Sequence, residues 1–136
     1  MQTATPKTMI VTGASQGIGA GIMKEFIRRG YNVVANARGF AASTFQAEER
    51  LALIEGDICE PSTAKRLAAA AVNTFGSIDA VVNNAGIFFT KPFIEYTVED
   101  FQRLSETNLE GYLHITQLAV RQMLAQKAGG SVVSIT

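Results

Sequence analysis

Residues 8–19 read Thr8-Met9-Ile10-Val11-Thr12-Gly13-Ala14-Ser15-Gln16-Gly17-Ile18-Gly19. Met9, Ile10 and Val11 form a short apolar run that ends in a loop with three glycines. A helical pattern then begins, with Ile18, Ile22 and Phe26 four residues apart. Strand, glycine turn and helix together give a glycine cluster chemical meaning. Gly13 lets the chain turn sharply off the strand. Gly17 leaves room where a side chain would meet a bound diphosphate, and Gly19 lets the helix lie close to the sheet. The first amides of such a helix have no internal partner and lie at the positive end of its dipole, so they favour a phosphate. A tight strand–helix turn with no ligand is the plainer reading of the same residues.

The rest of the chain repeats this alternation. The first helix is expected over residues 17–29, closed by Gly30. Four further strands are expected at 31–35, 51–55, 78–82 and 131–135. Residues 38–50 have weak periodicity and predict a loop with one or two helical turns. Pro61 suits the first turn of a helix that runs to Gly76. Thr97-Val98-Glu99-Asp100 predicts a capped start to a long helix over 98–126. Phe101, Leu104, Leu109, Ile115, Leu118, Ala119 and Met123 form its apolar set, and Gly129-Gly130 are expected to break it. Short apolar strands alternating with helices predict an α/β fold of one domain over 1–136: a doubly wound, Rossmann-like parallel sheet of order 3-2-1-4-5. That order places the glycine loop beside the crevice where ligands bind.

Composition narrows the function classes. Apolar residues make up 47% of the 136 and charged residues 18%, which suits a folded chain. Lys plus Arg equal Asp plus Glu at 12 each, giving no electrostatic case for nucleic acid or an anionic membrane as partner. No apolar run approaches the ~20 residues that span a bilayer. Residues 1–7 lack the apolar core of a signal peptide. The single cysteine, Cys59, suits a reducing, cytoplasmic setting and reads as structural. His114, the lone histidine, cannot build a metal site. No Gly-x-Ser-x-Gly elbow supports a hydrolase, and no Gly-Lys-Ser/Thr supports a P-loop.

Three further signals stand at intervals along the chain. Asn83-Asn84-Ala85-Gly86 ends the fourth strand; its amides can satisfy backbone groups there, and Gly86 removes a side chain. Asp57 and Ile58 follow the third strand, where a turn aspartate is the bland reading. Asn108 sits in mid-helix, a poor position for asparagine without a purpose. With these, Thr-Gly-x-x-x-Gly-x-Gly resembles the cofactor loop of the short-chain dehydrogenase/reductase family. The resemblance covers the whole chain but only about the first half of the family pattern.

The resemblance implies an NAD(P)-dependent oxidoreductase acting on a small alcohol or carbonyl substrate. Gly13, Ser15, Gln16, Gly17, Ile18 and Gly19 would cradle the diphosphate. Asp57 and Ile58 would meet the adenine, and Asn84, Ala85 and Gly86 the ribose side. Asn108 would belong to the catalytic relay. The family position that selects NAD holds Ala37, with no carboxylate, and Arg38 follows. A guanidinium attracts a ribose phosphate, so NADP(H) is expected ahead of NAD(H). Gln16 opposes this, standing where NADP-using members often carry a basic residue. Phe88 and Phe89 border the loop that lines the family's substrate pocket. The resemblance also implies a homo-oligomer, dimer or tetramer.

The family's serine, and its tyrosine with a lysine four residues on, are not in these 136 residues. Tyr31 is followed four on by Ala35, Tyr96 by Asp100 and Tyr112 by Thr116. The chain is therefore expected to be the N-terminal portion of a longer enzyme. By itself it would be aggregation-prone or dimeric through an exposed fifth strand and an uncovered long helix. The alternative is a non-catalytic NAD(P)-binding module that senses redox state or supports a partner.

Overall fold

A computed structural model describes residues 4–41 and 44–136. Its strands are β1 (Thr8–Val11), β2 (Asn32–Ala37), β3 (Leu51–Glu55), β4 (Ala80–Asn83) and β5 (Ser131–Ser134). All pair in parallel, in the order β3-β2-β1-β4-β5. The helices are α1 (Gly17–Arg28), α2 (Pro61–Ala70), α3 (Val98–Ser105) and α4 (Gly111–Gln126). The α/β class and strand order expected from the sequence both hold.

The strand pleat explains the core. Successive side chains of a strand point to opposite faces, so a central strand covered on both sides is apolar throughout. Met9 and Val11 join Val33, Ala35 and Met23 on the α1 face. Ile10 joins Val34, Val81, Leu67 and Ile115 on the face covered by α2 and α4. Every residue of β1 and β2 is buried.

Several boundaries differ from expectation. β2 runs on to Ala37, whose carbonyl accepts from the Gly56 amide at 2.9 Å. β4 begins at Ala80, because the Gln126 carboxamide takes both main-chain groups of Ile78 at 2.8 and 3.0 Å. Residues 98–126 are not one α-helix: a wider π-helical turn over Glu106–Glu110 separates α3 from α4. A second π-helical turn, Ala71–Phe75, follows α2. α4 ends at Gln126, before the two glycines, with Lys127 in the left-handed region at φ 55°. No helix is formed by the described residues among 38–50; the Thr44 and Phe45 amides both bond the Ala41 carbonyl, a single turn of the helical kind, and Phe40 meets Phe45 edge-on. Ala42 and Ser43 lie outside the described residues, as do Met1–Thr3 of the N-terminal stretch.

Two expectations about exposed apolar surface hold. All four residues of β5 are exposed, and so are Leu113, Val120 and Leu124 of α4. The apolar set of the long helix splits. Ile115, Ala119 and Met123 are buried, while Phe101 and Leu109 are about two-thirds exposed, at 66% and 65%.

Candidate functional site

β1, β2, β3 and β4 deliver their following loops to one edge of the sheet. These loops enclose a cleft of about 350 Å³. Its lining comes from the glycine loop (Gly13 and residues 15–18), Asn36 to Arg38, Gly56 to Ile58, and Asn84 to Ile87.

The glycine loop is held from two sides. The Ala14 amide donates to the Asn36 carbonyl at 2.8 Å. The Asn84 carboxamide donates to the Thr12 and Gly13 carbonyls at 3.1 and 3.0 Å. Thr12 returns the link, its Oγ1 accepting from the Asn84 and Ala85 amides at 3.1 and 3.0 Å. Gly13, at φ +66°, lies so close to this strand end that a Cβ would come within 2.9 Å of Ala85 Cα. A Cβ on Gly19 would lie 2.2 Å from the Gly13 carbonyl oxygen. Gly19 therefore packs beneath the loop and is not among the residues lining the cleft. A Cβ on Gly17 would have no neighbour within 4 Å, so the space beside it is open.

The first turn of α1 opens onto this space. Its N-cap, Gln16, makes no side-chain capping bond, and the turn carries no acidic residue. Among the described residues, nothing accepts from the Ile18 or Gly19 amides. Free amides at the positive end of a helix dipole can hold an anionic group.

At the other end of the cleft stand Arg38 and Asp57, both exposed. Asp57 Oδ1 accepts from the Cys59 amide at 3.0 Å. That bond first, with the Arg38 guanidinium adding to it, holds the Asp57 carboxyl below its ordinary range, so it is ionised at neutral pH. Ile58 is 5% exposed and lies against Gly111 of α4, so most of its side chain is core and only an edge borders the cleft. Burial pushes the Cys59 thiol up, and its Sγ sits 3.4 Å from Thr107 Oγ1; it is not an activated nucleophile.

A second cleft, of about 690 Å³, adjoins the first through Ile58, Ala85, Gly86, Ile87 and Thr107. Asn108 lines it from the π-helical turn. Its carboxamide takes both main-chain groups of Ile87, each at 3.0 Å. This is why an asparagine sits within a helix: the widened turn presents it sideways to the strand-end loop. A Cβ on Gly86 would come within 3.0 Å of Asn108 Oδ1. Phe88 also lines this cleft, whereas Phe89 stacks on Tyr96 at 6.1 Å.

The structure thus brings Gly13, Ser15, Gln16, Gly17, Ile18, Arg38, Asp57, Ile58, Asn84, Ala85 and Gly86 to one cleft and puts Asn108 beside it. Sequence reading gave no separate role to Thr12, which opens the glycine motif, and passed over Asn36 and Thr107. A polar residue at the end of an apolar strand was the available signal for the first two. Nothing in the local pattern marked Thr107. No group of three or more His, Cys, Asp or Glu able to hold a metal occurs among the described residues. No helix among them is long and apolar enough to cross a membrane.

Comparison with known proteins bears on what this cleft belongs to. The short chain dehydrogenase family profile matches residues 7–136. L-rhamnose 1-dehydrogenase (NAD(P)(+)) of Azotobacter vinelandii is 36% identical, over 96% of this chain and 55% of its own length. 3beta-hydroxysteroid dehydrogenase 1 of Eggerthella lenta is 34% identical, over 96% of this chain and 52% of its own. Among solved structures, a short-chain dehydrogenase from Streptomyces avermitilis superposes with a TM-score of 0.88 at 29% identity, over 98% of this chain and 50% of that one. The chain spans about half the length of the curated relatives it matches. With its sheet order, glycine loop and family match agreeing over almost its whole length, the chain belongs to the short-chain dehydrogenase family.

Proposed function

We propose that this chain supplies the dinucleotide-binding half of an oxidoreductase acting on a small alcohol or carbonyl substrate, with NADP(H) preferred and NAD(H) the alternative. The bound nicotinamide supplies or accepts the hydride. The Ile18 amide, with that of Gly19 behind it, holds the diphosphate, in the space that Gly13 and Gly17 leave and Ser15 and Gln16 border. Arg38 holds the 2′-phosphate, Asp57 accepts from the adenine amino group, and Ile58 gives an apolar edge beside the ring. Asn84, through its hold on the glycine loop, and Ala85 with Gly86 shape the ribose side. Asn108 fixes Ile87 at the border of the two clefts and belongs to the catalytic relay. Relatives whose names carry NAD(P)(+) fit a cofactor site of this kind.

One observation carries the reading: an uncapped helix start faces a cleft whose far end holds an exposed arginine and an ionised aspartate. Titration with NADPH and NADH tests it. NADPH is expected to bind at least about tenfold tighter, the scale of one well-placed charged contact. Equal or tighter NADH binding removes Arg38 from its role, and no binding of either removes the reading.

A second reading, a non-catalytic NAD(P)-binding module, needs only the same cofactor cleft. Turnover of an alcohol and carbonyl panel by the product of the complete reading frame separates the two. The exposed apolar residues of α4 support a homo-oligomer, which sedimentation would detect.

A further inference from the structure

Asn36 is the most deeply buried polar side chain bordering the cleft, at 1% exposed. It is the fifth residue of β2, facing Ile54 across the β2–β3 ladder. Its carboxamide nitrogen donates to the Ile54 carbonyl at 3.1 Å and to the Gly56 carbonyl at 3.0 Å. Both bonds fasten the turn that carries Asp57. The Asn36 main-chain carbonyl meanwhile accepts from Ala14 in the glycine loop. Arg38 follows two residues later along the chain. One residue therefore touches the phosphate end of the cleft through its backbone and the adenosine end through its side chain.

A buried side chain with both amide hydrogens on neighbouring carbonyls fixes the path of those carbonyls, because breaking either bond leaves a buried acceptor unpaired. Gly56 shows how tightly that path is set. Its φ is +156°, and a Cβ there would lie 2.5 Å from Arg66 Nη2 and 2.6 Å from Thr63 Oγ1. Arg66 in turn donates to the Glu55 carbonyl at 2.9 Å. The turn is clamped by Asn36 on one side and by α2 on the other.

We infer that Asn36 is a positioning residue for the adenosine end of the cleft: its carboxamide sets where Asp57 stands relative to Arg38, while the glycine loop depends only on its backbone. The inference rests on the nucleotide reading above and adds to it a residue that touches no ligand. A side-chain substitution should then separate the two ends of the site, a result that general loosening of the fold would not give.

The test uses two probes on the full chain: 2′,5′-ADP for the adenosine end and inorganic pyrophosphate for the helix start, each titrated by amide chemical shifts. Asn36→Leu is expected to weaken 2′,5′-ADP about tenfold and to leave pyrophosphate within about twofold, near the precision of such a titration. Gly56→Ala displaces the same turn from its other side, is expected to give the same split, and stands in if Asn36→Leu does not fold. Equal losses on both probes, or no loss on 2′,5′-ADP, would overturn the inference. Wild-type protein that takes up neither probe would overturn the nucleotide reading and the inference together.

Discussion

Two helices of this chain begin in opposite ways. α3 is closed by its own residues: Thr97 Oγ1 accepts from the Asp100 amide at 3.1 Å, and Asp100 Oδ2 accepts from the Thr97 amide at 2.9 Å. Lys91 pairs with the same carboxylate, and Glu99 adds a second negative charge to the first turn. α1 has none of this. Gln16 makes no capping bond, no acid stands in the first turn, and the surrounding loop is held by Asn84 and Asn36 in a shape that keeps the amides bare. A cap contributes about 1 kcal/mol to helix stability. A helix that forgoes it, at a loop that opens onto a cleft, leaves its first donors free for an anionic ligand.

The sharpest way to break that contrast is through Gly17 and Gly19, in the first turn of α1. Gly19→Ala drives a Cβ into the Gly13 carbonyl and the Asn84 carboxamide, at 2.2 and 2.5 Å. It is expected to cost about 2–3 kcal/mol in denaturant unfolding, as overpacking does, and to abolish NADPH binding. Gly17→Val meets no protein atom within 4 Å at its Cβ but is strained at φ +56°. It should cost less stability, about 1–2 kcal/mol, and still lose nucleotide by about 100-fold. Loss of stability in Gly17→Val with binding intact would mean that the open space is not where the ligand lies.

Next in size is Arg38→Ala. NADPH affinity is expected to fall about tenfold or more and NADH affinity to stay within about twofold, read by fluorescence titration of both. Thr97→Ala then sharpens the comparison from the other side. Removing the α3 cap should cost about 1 kcal/mol in unfolding free energy and leave nucleotide binding unchanged, since that helix start is already closed.

The smallest effect concerns pH. The Cys59 amide and the Arg38 charge depress the Asp57 carboxyl below its ordinary value of 3.8. A depressed carboxyl contributes stability that is present above the unfolded value and is lost as pH falls through the folded one. Asp57→Asn should therefore lower stability slightly at neutral pH and leave it nearly unchanged below about pH 4, which flattens the low-pH arm of the curve, as thermal melts across pH would show.

The same two helix starts mark what could be read from the sequence. The α3 cap was legible because its chemistry is local, with Thr97 and Asp100 three residues apart. The glycine loop before α1 was legible because its spacing is local as well. The parallel α/β class was legible because β1 and β2 are buried on both faces and carry the apolar runs Met9–Val11 and Val33–Ala35. What escaped was set by partners far along the chain. Asn36 acts on residues 18 and 20 positions away. Gln126 reaches back 48 positions to Ile78 and so shortens β4. The π-helical turn at Glu106–Glu110 breaks the 3.6-residue period on which Leu109 was placed in the apolar set, and Leu109 faces outward. Asn108 was legible as an anomaly, but its partner, Ile87, was not.

The central claim is that the bare amides of α1 bind the anionic bridge of a dinucleotide. Two-dimensional amide NMR of the protein with increasing NADPH tests it most directly. The Ile18 and Gly19 resonances are expected to move furthest and to saturate with a single binding curve, while the amides of Thr97 and Asp100 stay still. If NADPH binds and the Ile18 and Gly19 signals do not move, or if they move no more than those of α3, the account is contradicted.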